Sequence, residues 1–228
     1  VSLAALAGLA ILAMYPVSTE YDAEFEEFIA LYGKNYASEG EVNFRREVFH
    51  KNMQVAAQLQ KENPRAEFGM TIFSDQTESE MERRMGAIPS IHSFDNVTIH
   101  TEESEPDGDI NWDKVVQPVQ NQGNCGSCWA FSATATFEAR YTILTGKSIK
   151  FSEGEALECS SPYYGCDGGW YEEVWAYLKN VYFCTLDSYS YRPVKGACRV
   201  NNCKWIAKDK WFVRLQKTEP AMMNALKD

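Results

Sequence analysis

Seven cysteines, at positions 125, 128, 159, 166, 184, 198 and 203, all fall after residue 120, and the earlier part of this 228-residue chain has none. The C-terminal part must therefore bring these thiols into bridges, a metal site or a reactive centre, while the N-terminal part must fold on helix formation and apolar packing alone. An odd count leaves one thiol over once the others pair, and the remaining six allow many connectivities. Cys125 and Cys128 have the C-x-x-C spacing of a metal site, but no histidine lies beyond His100 to complete a mixed ligand set.

Charge divides the chain at nearly the same place. Residues 1–106 hold 8 Lys/Arg against 18 Asp/Glu, whereas residues 107–228 hold 14 against 14, so the net charge of -10 belongs to the first segment. With no basic patch there is no electrostatic footprint for nucleic acid. Residues 1–19 are uncharged and almost wholly apolar to Met14, which reads as the remainder of a secretory signal peptide. The run falls short of the ~20 residues that span a bilayer, which argues against a membrane anchor. Asn96-Val97-Thr98 is a glycosylation sequon and fits a secretory route.

Tyr21, Phe25, Phe28, Ile29 and Tyr32 recur at helical spacing, with Gly33 placed to end the helix. Ser38-Glu39-Gly40-Glu41 is a capping box opening a second helix to about Asn63, closed by Pro64. Glu41/Arg45 and Glu47/Lys51 are spaced to pair along it. Residues 85–109 carry Pro, Gly, Ser and a carboxylate cluster at Glu102, Glu103, Glu105 and Asp107, which predicts an extended connector. Cys128 to Tyr141 is a small-residue helix of the kind that packs closely in an interior. A second capping box at Ser152 to Glu155 opens a short helix carrying Cys159. Trp170 to Asn180 shows another helical pattern.

The most informative stretch is Gln120-Asn121-Gln122-Gly123-Asn124-Cys125-Gly126-Ser127-Cys128-Trp129-Ala130-Phe131. A cysteine on the first turn of a helix has its thiolate stabilised by unpaired N–H groups and the helix dipole, and the thiolate is the form that attacks a carbonyl carbon. The stretch resembles the active-site segment of the papain and cathepsin family of cysteine peptidases. Upstream, Glu41, Arg45, Phe49 and Asn52 resemble that family's E-x-x-x-R-x-x-x-F-x-x-N propeptide helix, with Ala56 and Gln60 replacing its later Ile and Asn. Gly69-x-Thr71-x-Phe73-x-Asp75 resembles the companion G-x-N-x-F-x-D motif with Thr for Asn.

The resemblance, which covers about residues 20–228 and points to the cathepsin L-like branch, implies an α+β fold. A helical inhibitory propeptide at 20–84 and a connector at 85–105 would precede residues 106–228, the helix-rich left half of a papain-like domain, with the β-rich right half absent. Cleavage near Glu105 or Pro106 would release the peptidase, and Trp112 to Pro118 runs two residues shorter than the family pattern. Cys128 is implied as nucleophile and Gln122 as the oxyanion donor. Gly168 and Gly169 would let a substrate backbone approach, because a Cβ would hold it away. Trp170 and Tyr171 would line the pocket for the substrate side chain two residues before the cut. The implied bridges are Cys125–Cys166 and Cys159–Cys198, with Cys184–Cys203 as an additional pair. No cofactor or metal is implied. The implied partners are a peptide or protein substrate and the chain's own propeptide, in a monomer destined for the lysosome, an acidic vacuole or the extracellular space. The family's catalytic His and Asn lie about 130–150 residues beyond the nucleophile, past the end of this chain, and His50, His92 and His100 all precede Cys128. A fragment of a protease precursor is therefore expected. The competing expectation is a non-catalytic inhibitor or binding protein of the same fold, which would have no need of Cys128 and Gln122.

Overall fold

The computed structural model describes residues 21–90, 98–100, 108, 110–210 and 212–227. The expected signal-peptide segment 1–19, His92, Asn96 of the sequon, the carboxylate cluster and the expected cleavage site at Glu105 or Pro106 lie outside the described residues. The chain forms two units, Val1–Glu78 and Ser79–Asp228.

The first unit is a helical hairpin. Helix α1 (Asp22–Tyr32) ends at Gly33, whose left-handed φ of 59° lets its N–H turn back to the Ile29 carbonyl. Helix α2 (Glu39–Glu62) starts at Ser38, whose hydroxyl accepts from the Glu41 N–H at 3.2 Å. The Glu41 carboxylate reaches back one residue further than expected, to the Ala37 N–H at 2.8 Å. Arg45 meets Glu41 at 3.9 Å, whereas no ion pair joins Glu47 to Lys51. Phe25, Phe28 and Phe49 are fully buried between the helices. Four and three residues either side of Phe49, Arg45 and Asn52 lie on the same helix face and clamp the turn around Asp75. Arg45 donates to the Asp75 carbonyl at 3.0 Å, and Asn52 donates to the carbonyls of Ser74 and Gln76 at 3.0 and 2.9 Å. The Asp75 carboxylate accepts from Lys34 and Tyr36, both at 2.9 Å. Burial, together with the Asp75 carboxylate, raises the Tyr36 phenol far above its ordinary value. Gln60, a departure from the family pattern, donates to the Ala66 carbonyl at 2.9 Å and accepts from the Phe68 N–H at 3.1 Å, fastening the chain after Pro64.

Helix α3 (Glu78–Glu82) stands at the boundary of the units. In the second unit α4 (Cys128–Thr145) packs on α5 (Glu153–Cys159) and α6 (Tyr171–Leu178). Trp129, Ala130 and Ala133 of α4, Ala156 and Leu157 of α5 and Val174 and Leu178 of α6 share a core with Phe151 and Phe183, each large side chain contributing about 1.5–3 kcal/mol by burial. Helix α4 runs past the expected end at Tyr141 to Gly146, whose φ of 68° caps it. It buries one stripe and leaves Ser132, Ala135 and Thr136 exposed, so its small residues form one packing face and not a fully buried helix. Strands are minimal. β1 (Ile99–His100) runs parallel to β4 (Arg214–Leu215), and β2 (Phe183–Cys184) antiparallel to β3 (Trp205–Ala207). Helix α7 (Glu219–Ala225) follows.

At the α5 cap the Ser152 hydroxyl accepts from the Glu155 N–H at 2.9 Å, but the Glu155 carboxylate does not close the predicted box. It accepts instead from the Cys184 N–H at 2.7 Å and the Tyr177 hydroxyl at 2.9 Å. Burial raises Glu155 from 4.5 to about 7, against the pull of those two donors. Because the folded value is the higher, its contribution to stability is complete below the unfolded pKa and is lost as pH rises through 7, by roughly 3 kcal/mol. Glu158 has the opposite sense. Burial pushes it up, but Tyr189, Arg192 and Arg199 outweigh burial and hold it below the usual range, so its stabilisation persists above the unfolded pKa and fails only as pH falls through the lowered one. The denaturant midpoint of the protein is therefore expected to fall between about pH 5 and about pH 8, and Glu155→Gln should flatten that fall. An unchanged slope in the variant would assign the effect elsewhere.

Candidate active site

Two segments of the second unit are fastened side by side. The loop from Gln120 to Ser127 is tied to the turn Gly165–Gly169 by the Cys125–Cys166 bridge and by the Gly126 N–H donating to the Cys166 carbonyl at 2.7 Å. Tyr191 holds the loop from behind, donating to the Gln122 carbonyl at 2.7 Å while its hydroxyl oxygen lies 2.8 Å from the Ser127 hydroxyl. The turn is closed by hydrogen bonds in both directions between Gly165 and Gly168, and Gly168 has a φ of 125° that disfavours any other residue. A Cβ on Gly169 would lie 2.4 Å from the Trp129 indole, so the strand sits directly on the first turn of α4.

Cys128 opens α4, is half-buried and is the free cysteine. The other six pair as Cys125–Cys166, Cys159–Cys198 and Cys184–Cys203. Alkylation of the folded, non-reduced protein followed by peptide mapping is expected to label Cys128 alone. Label on any other cysteine, with Cys128 protected, would remove it from the reactive role.

The segment that follows α3 lies along both. The Arg84 guanidinium donates to the Gly123 carbonyl and, at 2.7 Å, to Asn124. The Gln122 side-chain amide donates to the carbonyls of Arg84 and Cys125, both at 2.8 Å. Gly86 passes over Gly126 so closely that a Cβ would fall 1.8 Å from the Gly126 oxygen. Ala87 then pairs with Gly169 as a parallel bridge, with Gly169 N–H donating to Gly86 at 2.8 Å and Ile88 N–H donating to Gly169 at 3.0 Å. Residues 84–90 are held by the cleft they lie on.

Beside the turn is a groove of about 380 Å³, lined by Ile88, Pro162, Tyr163, Tyr164, Gly168 and Lys195 among others. Burial lowers the Lys195 ammonium, which donates to the Ser161 and Tyr164 carbonyls. Trp170 and Tyr171 are not in its lining. Their rings lie 4.4 Å apart and begin a file that continues through Trp175 to Phe212. Of the residues expected at the site, Cys128 opens α4, and Gln122, Gly168 and Gly169 lie on the loop and turn fastened beside it, whereas sequence reasoning did not single out Arg84, Tyr191, Lys195 or the pair Tyr163–Tyr164. That aromatic pair abuts the glycine turn and was visible in sequence. The other three reach the site from distant positions by long side chains, which leaves no local pattern.

Residues 107–228 match the family model described as papain family cysteine protease, and residues 25–81 match the cathepsin propeptide inhibitor domain. Digestive cysteine proteinase 2 of Homarus americanus is 33% identical over 208 residues, covering 86% of this chain and 62% of its own length. Papain of Carica papaya is 34% identical over 187 residues, covering 77% and 53%. The chain thus spans roughly half to three fifths of the length of these two relatives. Among solved structures, digestive procathepsin L2 proteinase from Tenebrio molitor larval midgut superposes with a TM-score of 0.74 at 26% identity, covering 84% of this chain and 67% of that one. The recombinant stem bromelain precursor gives 0.75 at 29%, covering 90% and 68%. With the loop, the glycine turn and the helical hairpin in these places, the chain belongs to the papain family of cysteine proteases, in a precursor form that carries the cathepsin-type propeptide domain.

Proposed function

We propose that this chain is the propeptide and nucleophile-bearing part of a cysteine endopeptidase, held inactive by residues 84–90. One observation carries the reading. A stretch of the protein's own backbone lies across the candidate cleft, with a carbonyl on the Gln122 amide and a ladder on Gly169, where a substrate peptide would be bound.

Once that stretch is withdrawn, the Cys128 sulfur attacks a substrate carbonyl carbon. A C–S bond forms, and the carbonyl oxygen becomes an anion that the freed Gln122 amide and the Cys128 N–H stabilise. The C–N bond breaks as the leaving amine takes a proton, and water then hydrolyses the thioester, returning the thiol and a carboxylic acid. Proton transfer needs a base at Cys128, and every histidine of the 228 residues precedes that cysteine. The reading assigns the base to a residue outside them. Three disulfides suit an oxidising route through the secretory pathway, with an acidic vesicle or the extracellular space as destination. Among the described residues no helix is long and apolar enough to cross a membrane. An apolar preference two residues before the cut rests on the family resemblance of Trp170 and Tyr171, which do not line the groove beside the turn.

The test expresses residues 20–228 and the complete gene product, acidifies both and assays a peptide with an apolar residue two positions before the cut. Cleavage is expected only from the complete product and only with Cys128 intact. Cleavage by residues 20–228 alone would place the base upstream of Cys128, and none by either would favour a non-catalytic role.

A further inference from the structure

Six glutamates are buried among the described residues of the second unit, and their partners differ. Glu138 and Glu153 share Lys150 at 3.0 and 2.8 Å, Glu158 meets Arg192 and Arg199, and Glu172 meets Arg214 through two 2.8 Å bonds. Glu155 has no cation, but burial raises it to about 7, and a peptide N–H and a tyrosine satisfy it. Glu173 has neither arrangement. It is 7% exposed, and its carboxylate accepts one hydrogen bond, at 2.5 Å, from the hydroxyl of Ser90.

That partner sits on the segment lying in the cleft, three residues after Ala87, the residue that pairs with Gly169. Three extended residues span about 10 Å, so Glu173 faces a peptide's side chain a short way along from the ladder. A buried carboxylate without a cation is costly, and a cation brought to it forms a charge-assisted pair stronger than a neutral hydroxyl can offer. With residues 84–90 gone, Glu173 loses the Ser90 hydroxyl.

We infer that Glu173 is a specificity-determining residue of the cleft, selecting a substrate with a lysine or arginine side chain at the position Ser90 occupies in the precursor. Ser90 is a neutral placeholder that leaves this interaction unused, so the inhibitory segment binds less tightly than a basic peptide would. The inference rests on the peptidase reading for its meaning but not for its test.

The first experiment works on the 228-residue chain and needs no catalysis. Hydrogen exchange at the Ile88 N–H, which bonds to Gly169, reports seating of the segment. Ser90→Arg should slow that exchange about tenfold relative to Ser90→Ala, the size of one charge-assisted bond, and the difference should vanish when Glu173→Gln is added. Equal exchange with and without Glu173 would overturn the inference. The second experiment scans peptide libraries with the matured complete product. A basic residue at one position should raise kcat/KM about tenfold over its uncharged counterpart, and Glu173→Gln should erase that preference while sparing neutral peptides. A preference unchanged by Glu173→Gln would also overturn it. If no variant cleaves any peptide, the peptidase reading fails while the exchange experiment still decides what Glu173 binds.

Discussion

Replacing Gly86 by alanine should expel residues 84–90 from the cleft. The new Cβ would lie 1.8 Å from the oxygen and 2.3 Å from the carbonyl carbon of Gly126, and both are backbone atoms. Gly126 is held in place, because its N–H is bonded to the Cys166 carbonyl and its neighbour Cys125 is bridged to Cys166. The segment must therefore lift, breaking the two ladder bonds with Gly169 and the bond from Gln122 to Arg84. At about 1 kcal/mol each these amount to a loss of protection on the order of 100-fold in hydrogen exchange across residues 84–90. The bridged core should keep its protection. Gly69 is the control: a Cβ there meets nothing within 4 Å, so Gly69→Ala should leave the exchange pattern unchanged. Full protection in the Gly86→Ala protein would mean that the segment is not seated by this contact.

The second large effect concerns Gln122. Its amide hydrogens are aimed at the Arg84 and Cys125 carbonyls, and in the proposed reaction the developing oxyanion takes the place of the first of these. Loss of one such donor typically costs about 100-fold to 1,000-fold in kcat. Gln122→Ala in the matured complete product is expected to show that fall, with KM changing little because the donor acts on charge present only in the transition state. A rise in KM with kcat preserved would reassign Gln122 to ground-state binding. The Tyr191→Phe protein separates placement from chemistry. It removes the hydrogen bond to the Gln122 carbonyl but leaves the amide, so a smaller fall in kcat is expected.

The helices and their caps were legible because they depend on neighbours in sequence. Ser38, Gly33 and the spacing of Phe25, Phe28 and Phe49 specify the hairpin within a few turns of chain. The short strands were not legible, since two or three residues show no periodicity and form only where a distant partner arrives. The Ser152 box was misread in half: the hydroxyl cap is local, but Glu155 is claimed by Cys184 and Tyr177, groups that no window around residue 155 contains.

What the sequence by itself determined is the chemistry available: a cysteine at a helix start, a glutamine six residues earlier, a glycine pair and an upstream helical segment. These are short-range patterns set by backbone and side-chain requirements. Tertiary structure alone decided which groups face one another across the cleft. Gly86 lies over Gly126, Arg84 occupies the Gln122 amide, and Ser90 is the partner of Glu173. Each pair is joined by packing between segments 38 to 83 residues apart, a distance over which local propensity carries no information and only the folded core sets the register.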